Sequence, residues 1–220
     1  MHHPTIEETY RLFHKGMGYI ADNHIYKFKD YSECIFDTQI QSKWWLVESL
    51  VKPENRDCNI RHISVLASWY GIVLIPMLVN RLGSDIKIDL YDVDEYTADI
   101  ARYIYQYDYP QVTMHHKDVV FDDLNLKGNV IINCSCEHMM DMSHITEQYP
   151  DALYCLQSNN NKNVKWLHIN CVEDTGALAK QAGLKKVLYG ESKEFYSAKR
   201  IMVIGRRQNR NEVSQNEAGN

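Results

Sequence analysis

The densest polar cluster in this sequence is Asn133-Cys134-Ser135-Cys136-Glu137-His138-Met139, directly after the apolar run Gly128 to Cys134. His138 is a candidate general base, and Glu137 can orient it or hold a substrate ammonium group. Cys134 and Cys136 are candidate nucleophiles. No helix-start glycine or acid–base partner supports that role, and buried packing is the better reading. A second cluster, Asp92-Val93-Asp94-Glu95, also follows an apolar run. An acid at such a position can accept hydrogen bonds from both hydroxyls of a ribose. Asp94 or Glu95 can instead cap the following helix, and both roles fit together with Asp92 on the ligand and Asp94 as the cap.

Two further turns can bind a ligand. Ala67-Ser68-Trp69-Tyr70-Gly71 opens a helical stretch. Small residues there let the backbone approach a carboxylate or phosphate, and the free N–H groups of the helix start can hold it. Asp92 comes about 25 residues after this turn, near the ~20 expected between a phosphate turn and a ribose acid. In His115-His116-Lys117-Asp118-Val119, Asp118 can accept from a purine amino group or be a solvated turn acid. The two histidines would point to opposite faces of a strand, so they make a poor chelating pair and no metal site is expected.

The elements that must position these turns alternate. Thr5 to Ala21 repeats Ile6, Tyr10, Phe13, Met17 and Ile20 at helical spacing. Thr38 to Val51 does the same, and Pro53 breaks it. From Asn59 the pattern changes to short apolar runs separated by helical stretches. Strands are expected at 62–67, 86–91, 111–115, 128–134, 152–157, 185–189 and 198–205, with helices at 71–82, 95–107, 142–149 and 173–182. This rhythm implies an α/β fold: a Rossmann-like, doubly wound, mostly parallel seven-stranded sheet with an antiparallel C-terminal strand, preceded by an N-terminal helical segment. The expected division is 1–58 for that segment, 59–206 for the sheet domain and 207–220 for a flexible tail. Ligands of such sheets bind beyond the carboxyl ends of the strands, where the four turns lie.

Composition narrows the class. The 220 residues carry 24 Lys+Arg against 29 Asp+Glu, a net charge of −5, which disfavours broad binding to nucleic acid or acidic membrane. The longest strongly apolar stretch, Gly71 to Val79, is too short to cross a bilayer, and the N-terminus lacks the pattern of a secretory signal. The six cysteines form no CxxC pair or zinc-like spacing, as expected of reduced thiols in a cytoplasmic protein.

In this order the four strand-end features resemble a class I S-adenosylmethionine-dependent methyltransferase, from about Ile63 to Gly205. Asp92 to Arg102 resembles that family's acid-plus-helix pattern, with Ala101-Arg102 keeping its distance from Asp92. His116-Lys117-Asp118-Val119 resembles its Gly-Asp-Ala turn. Asn129 to His138 resembles the fourth motif of the small-molecule branch, which often ends in Glu-His. The first motif departs: it has one glycine and no acid, where the family has an acid and two or three glycines. Trp69 and Tyr70 are expected to narrow the methionine end or take over its contacts.

The resemblance implies S-adenosyl-L-methionine as cofactor, held by Ala67, Ser68, Trp69, Gly71, Asp92, Val93, Asp118, Val119, Asn133 and Ser135. His138 and Glu137 would be catalytic. Trp44 and Tyr70 would bind the substrate, with the N-terminal helices bringing Lys43, Trp44 and Trp45 over the site. The expected acceptor is a small molecule, with a nucleobase second. Transfer of another part of the same cofactor, or a non-catalytic partner protein on this scaffold, stay open as alternatives.

Overall fold

The computed structural model describes residues 4–163, 168–195 and 198–207. Three helices come first: α1 (Pro4–Asn23), α2 (Phe28–Glu33) and α3 (Asp37–Val51). Then follow β1 (His62–Leu66), α4 (Leu74–Leu82), β2 (Lys87–Asp92), α5 (Glu95–Tyr105), β3 (Val112–His116) and β4 (Val130–Asn133). The chain continues through α6 (Ser143–Gln148), β5 (Leu153–Asn159), α7 (Thr175–Gln181), β6 (Lys186–Phe195) and β7 (Ala198–Arg206).

The seven strands form one sheet in the order β3-β2-β1-β4-β5-β7-β6. The first five strands run parallel, and β7 is antiparallel to both β5 and β6. The chain order reverses between β1 and β4, which places a crevice at their carboxyl ends.

Alternation along the central strands builds two cores. Ile63, Val65, Val130, Ile132, Leu153, Cys155, Met202 and Ile204 face one layer with α1, α3, α4 and α5. Leu66, Ile131, Tyr154, Leu156, Ile201 and Val203 face the other, with α6 and α7. Side chains of period two, buried on both sides, explain why these strands read as continuous apolar runs.

The N-terminal helices belong to the first core. The buried stripe of α1 is Thr5, Thr9, Leu12, Gly16 and Ile20, one step round from the expected Ile6, Tyr10, Phe13 and Met17. Gly16 fixes that face because it permits close approach. A Cβ on Gly16 would lie 2.0 Å from the Tyr31 hydroxyl. Tyr31 of α2 fills the slot, stacked on Phe13 at 5.2 Å, and its hydroxyl donates to the Phe13 carbonyl at 3.2 Å.

Several boundaries differ from the sequence reading. The turn at Gly71, with φ +68°, delays α4 to Leu74. Strand β6 runs on to Phe195 through exposed Gly190 to Glu194; these polar residues lack an apolar pattern but pair with β7. The short α2 was not expected. Of the proposed tail, all beyond Arg207 lies outside the described residues.

Candidate functional site

The turn after β1 carries three left-handed residues in alternation: Ala67 (φ 46°), Trp69 (φ 53°) and Gly71 (φ 68°). Two of them are not glycine, and each such residue costs on the order of 1–2 kcal/mol. The surroundings offset that cost. Ser68 N–H donates to the Tyr91 carbonyl at 3.0 Å. Trp69 N–H donates to Asp92 Oδ2 at 2.7 Å. The Trp69 indole and Tyr70 hydroxyl both donate to Asp30 Oδ2, at 3.2 and 2.6 Å. A turn whose backbone elsewhere calls for glycine is thus held by side chains, with Asp30 of α2 as the anchor.

Asp92 ends β2. Its second oxygen accepts from Asp94 N–H at 3.1 Å. Burial pushes this carboxyl up, partly opposed by the two backbone N–H groups. Each oxygen keeps a lone pair. Asp94 is spent elsewhere: it caps α5 by accepting from Thr97 N–H at 2.9 Å and pairs with Lys27 at 2.5 Å. Burial raises the Asp94 carboxyl, but the Lys27 and Thr97 contacts outweigh it and leave it below the usual value.

A cavity of about 570 Å³ lies at the switch point between β1 and β4, within the range for small-ligand sites. Of the residues singled out by sequence, Ala67, Ser68, Trp69, Gly71, Asp92, Ser135, Glu137 and His138 line it. The others do not. Val93 is exposed. Asp118 spends its carboxylate on Val120 N–H at 2.8 Å, and Val119 is buried in the second core. Asn133 is buried below the floor: its amide faces the sulfurs of Met139 and Met142, and its carbonyl accepts from Ser135 N–H at 2.8 Å. Tyr70 points into the core, edge-on to Tyr31 at 4.8 Å. Trp44 lines a separate groove between α3 and β6. The expected narrowing by two aromatics therefore reduces to one, Trp69.

At the far wall, Glu137 sits in the short 3-10 turn Cys136–His138 after β4 and is buried. Its Oε1 accepts from Asn159 Nδ2 and Arg200 Nη1, both at 2.6 Å. His138 Nε2 lies 3.9 Å from the same oxygen, and its ring meets His168 edge-on at 4.7 Å. Lys43 of α3 reaches the cavity and donates to Gln39 Oε1 at 2.5 Å; burial pushes its amine down to about 8. Burial pushes the thiols of Cys134 and Cys136 up, so packing is their role here. Sequence reasoning missed Asn159, His168 and Arg200, which come from β5, a loop and β7. Only tertiary structure brings them to Glu137. Asp30 was missed because α2 was.

No family model matches this chain, and no curated protein matches it in sequence. Solved structures do match in fold. An O-methyltransferase family protein from Burkholderia thailandensis superposes with a TM-score of 0.55 at 17% identity, covering 94% of this chain and 72% of that one. The CurJ carbon methyltransferase gives 0.62 at 8% identity, covering 94% and 68%. The N-terminal domain of EvdMO1, solved in the presence of SAH and D-fucose, gives 0.51 at 11% identity, covering 78% and 82%. The fold is that of the class I S-adenosylmethionine-dependent methyltransferases, with a Rossmann-like sheet ending in a reversed strand.

Proposed function

We propose that this protein is an S-adenosylmethionine-dependent methyltransferase acting on a small-molecule acceptor. The observation that carries the reading is Asp92. Its carboxylate stands at the end of β2 in the switch-point cavity, fixed by Trp69 N–H at 2.7 Å. The cavity fits such a cofactor on two counts. The carboxylate keeps acceptor capacity for a sugar diol, and the left-handed turn has the backbone form of a ligand-cradling loop.

When bound, S-adenosylmethionine supplies a methyl group already activated by positive sulfur. The chain must then position the acceptor and exclude water. Asp92 holds the ribose. Ala67, Ser68, Trp69 and Gly71 receive the amino-acid end, where the Trp69 ring can add a cation–π attraction of roughly 0.5–2 kcal/mol. Asp118 and Val119 lend no support as adenine contacts, since neither reaches the cavity. His138 Nε2 takes a proton from the acceptor, and Glu137 Oε1, 3.9 Å away, stabilises the resulting imidazolium. Helices of the 1–58 segment close the cavity through Asp30, Gln39 and Lys43.

The negative net charge favours a small acceptor over nucleic acid. All six cysteines are free thiols, which suits the cytoplasm. Among the described residues, no helix is long and apolar enough to cross a membrane.

Calorimetric titration with S-adenosylhomocysteine tests the reading. Saturable binding is expected. Asp92→Ala should weaken it by about 100-fold, the loss of two charge-assisted hydrogen bonds. Asp94→Ala should leave affinity nearly unchanged and cost about 1 kcal/mol of stability as a lost cap. Absence of binding would leave the partner-protein alternative. Transfer of another carbon of the cofactor would be told apart by its by-product.

A further inference from the structure

We propose that Glu137, His138 and His168 form a binding site for one divalent transition-metal ion, of the zinc type, in the wall of the cavity. Each offers one donor atom, and the three atoms lie within 4.8 Å of one another. Two imidazoles and one carboxylate suit zinc and its first-row neighbours. Magnesium and calcium prefer all-oxygen sites.

The strongest sign is on Glu137. Both of its hydrogen bonds, from Asn159 and Arg200, fall on Oε1. Its Oε2 is buried and has no hydrogen-bond partner. A carboxylate oxygen withdrawn from water without a partner is costly, and a bound cation would satisfy it. Arg200 and Asn159 then act as the outer hydrogen bonds that orient a ligand carboxylate. Arg200 opposes a cation on the Oε1 side, so the ion approaches from Oε2 and the imidazoles.

His168 shows the matching feature. Its Nδ1 lies 2.7 Å from the Asn161 carbonyl, an acceptor, so Nδ1 carries the proton and Nε2 keeps its lone pair. This second bond fixes tautomer and ring direction, as it does in metal-ligating histidines. The wider field agrees: Asp30, Glu33, Asp92 and Glu137 line the cavity against Lys43 and Arg200. Tetrahedral zinc ligands stand roughly 3.3 Å apart, while the three donor atoms here lie within 4.8 Å of one another. A small rotation of His138, whose side chain is 42% exposed, closes that gap.

Three protein ligands leave a coordination position open. It would take an oxygen or nitrogen of the acceptor and lower the pKa of a bound hydroxyl. The proton task given to His138 above would then be exercised through the ion. That use rests on the methyltransferase reading; ion binding itself does not.

The test is to strip the full chain with chelator and titrate it with Zn²⁺, and separately with Co²⁺, by calorimetry and visible absorption. One equivalent should bind, with a cobalt spectrum showing nitrogen ligation. His168→Ala should lower the affinity at least ten-fold while circular dichroism stays that of the parent. His115→Ala, outside the cavity, should change nothing. No stoichiometric binding, an unaltered affinity in His168→Ala, or an equal loss in His115→Ala would overturn the proposal. S-adenosylhomocysteine titration of the stripped protein keeps the two readings apart. Its binding without metal binding would sink the ion site alone, and metal binding without it would sink the methyltransferase reading alone.

Discussion

The two ends of the cavity are built by different means. At the Asp92 end both partners of the carboxylate are backbone N–H groups, that of Asp94 two residues on and that of Trp69, 23 residues away, in the turn after the neighbouring strand. At the Glu137 end the partners are side chains: Asn159 is 22 residues away and Arg200 is 63. The first end is made by backbone groups and the second by side chains. Contacts made by backbone N–H groups tolerate changes of side chain. An end made of distant side chains fails when any one is lost.

The largest expected effect is therefore at the second end. Arg200→Ala leaves Glu137 buried and without its cation. It should cost about 3–5 kcal/mol of stability, measured by urea unfolding, because an uncompensated buried charge is among the worst defects. Arg200→Ala combined with Glu137→Gln should recover most of that loss. If the single variant costs under 1 kcal/mol, the distant contacts are ornamental and the contrast fails.

A smaller effect separates the two acids of the first end by pH. Burial raises the Asp92 carboxyl above the ordinary 3.8, and diol binding needs the carboxylate. S-adenosylhomocysteine affinity should thus fall, on acidification, before an ordinary aspartate would protonate. Asp94 lies below 3.8 in the folded protein, so the unfolded chain takes up its proton first. The stability from Asp94 is present above 3.8 and lost as pH falls through the folded value. Affinity and melting temperature, followed from neutral pH downward, should fail in that order. Failure of both together would mean that Asp92 does not hold the ligand.

The smallest effect concerns the anchor of the turn. Asp30→Ala leaves the Tyr70 hydroxyl, in a fully buried residue, without its acceptor, and should cost about 1–2 kcal/mol. Thermal unfolding with and without S-adenosylhomocysteine should show the loss in both states. A loss only in the bound state would make Asp30 a ligand contact.

How much of this was legible in the sequence follows the same division. The strands themselves need only alternation and apolar runs, because β1, β4 and β5 are buried on both faces. The Asp94 cap could be read because it works within three residues, and Asp92 because it ends an apolar run. Arg200, Asn159 and His168 could not, since no local pattern says that β5 lies between β4 and β7. Tyr70 is aimed at substrate by sequence as an aromatic of the first turn, and Trp44 because the N-terminal helices are expected over the site. Tyr70 instead packs inward because Asp30 offers its hydroxyl an acceptor at 2.6 Å, and the buried stripe of α3 is centred on Trp45 to Val47 rather than on Trp44.

The missing side chain at Gly16 reaches further than its own helix. The notch it leaves sets how deeply Tyr31 seats, and Asp30 is the residue before Tyr31 in α2. The gauge of the cavity is therefore decided from behind, by a position that never faces it, so a methyl added there would be felt as a displaced doorpost.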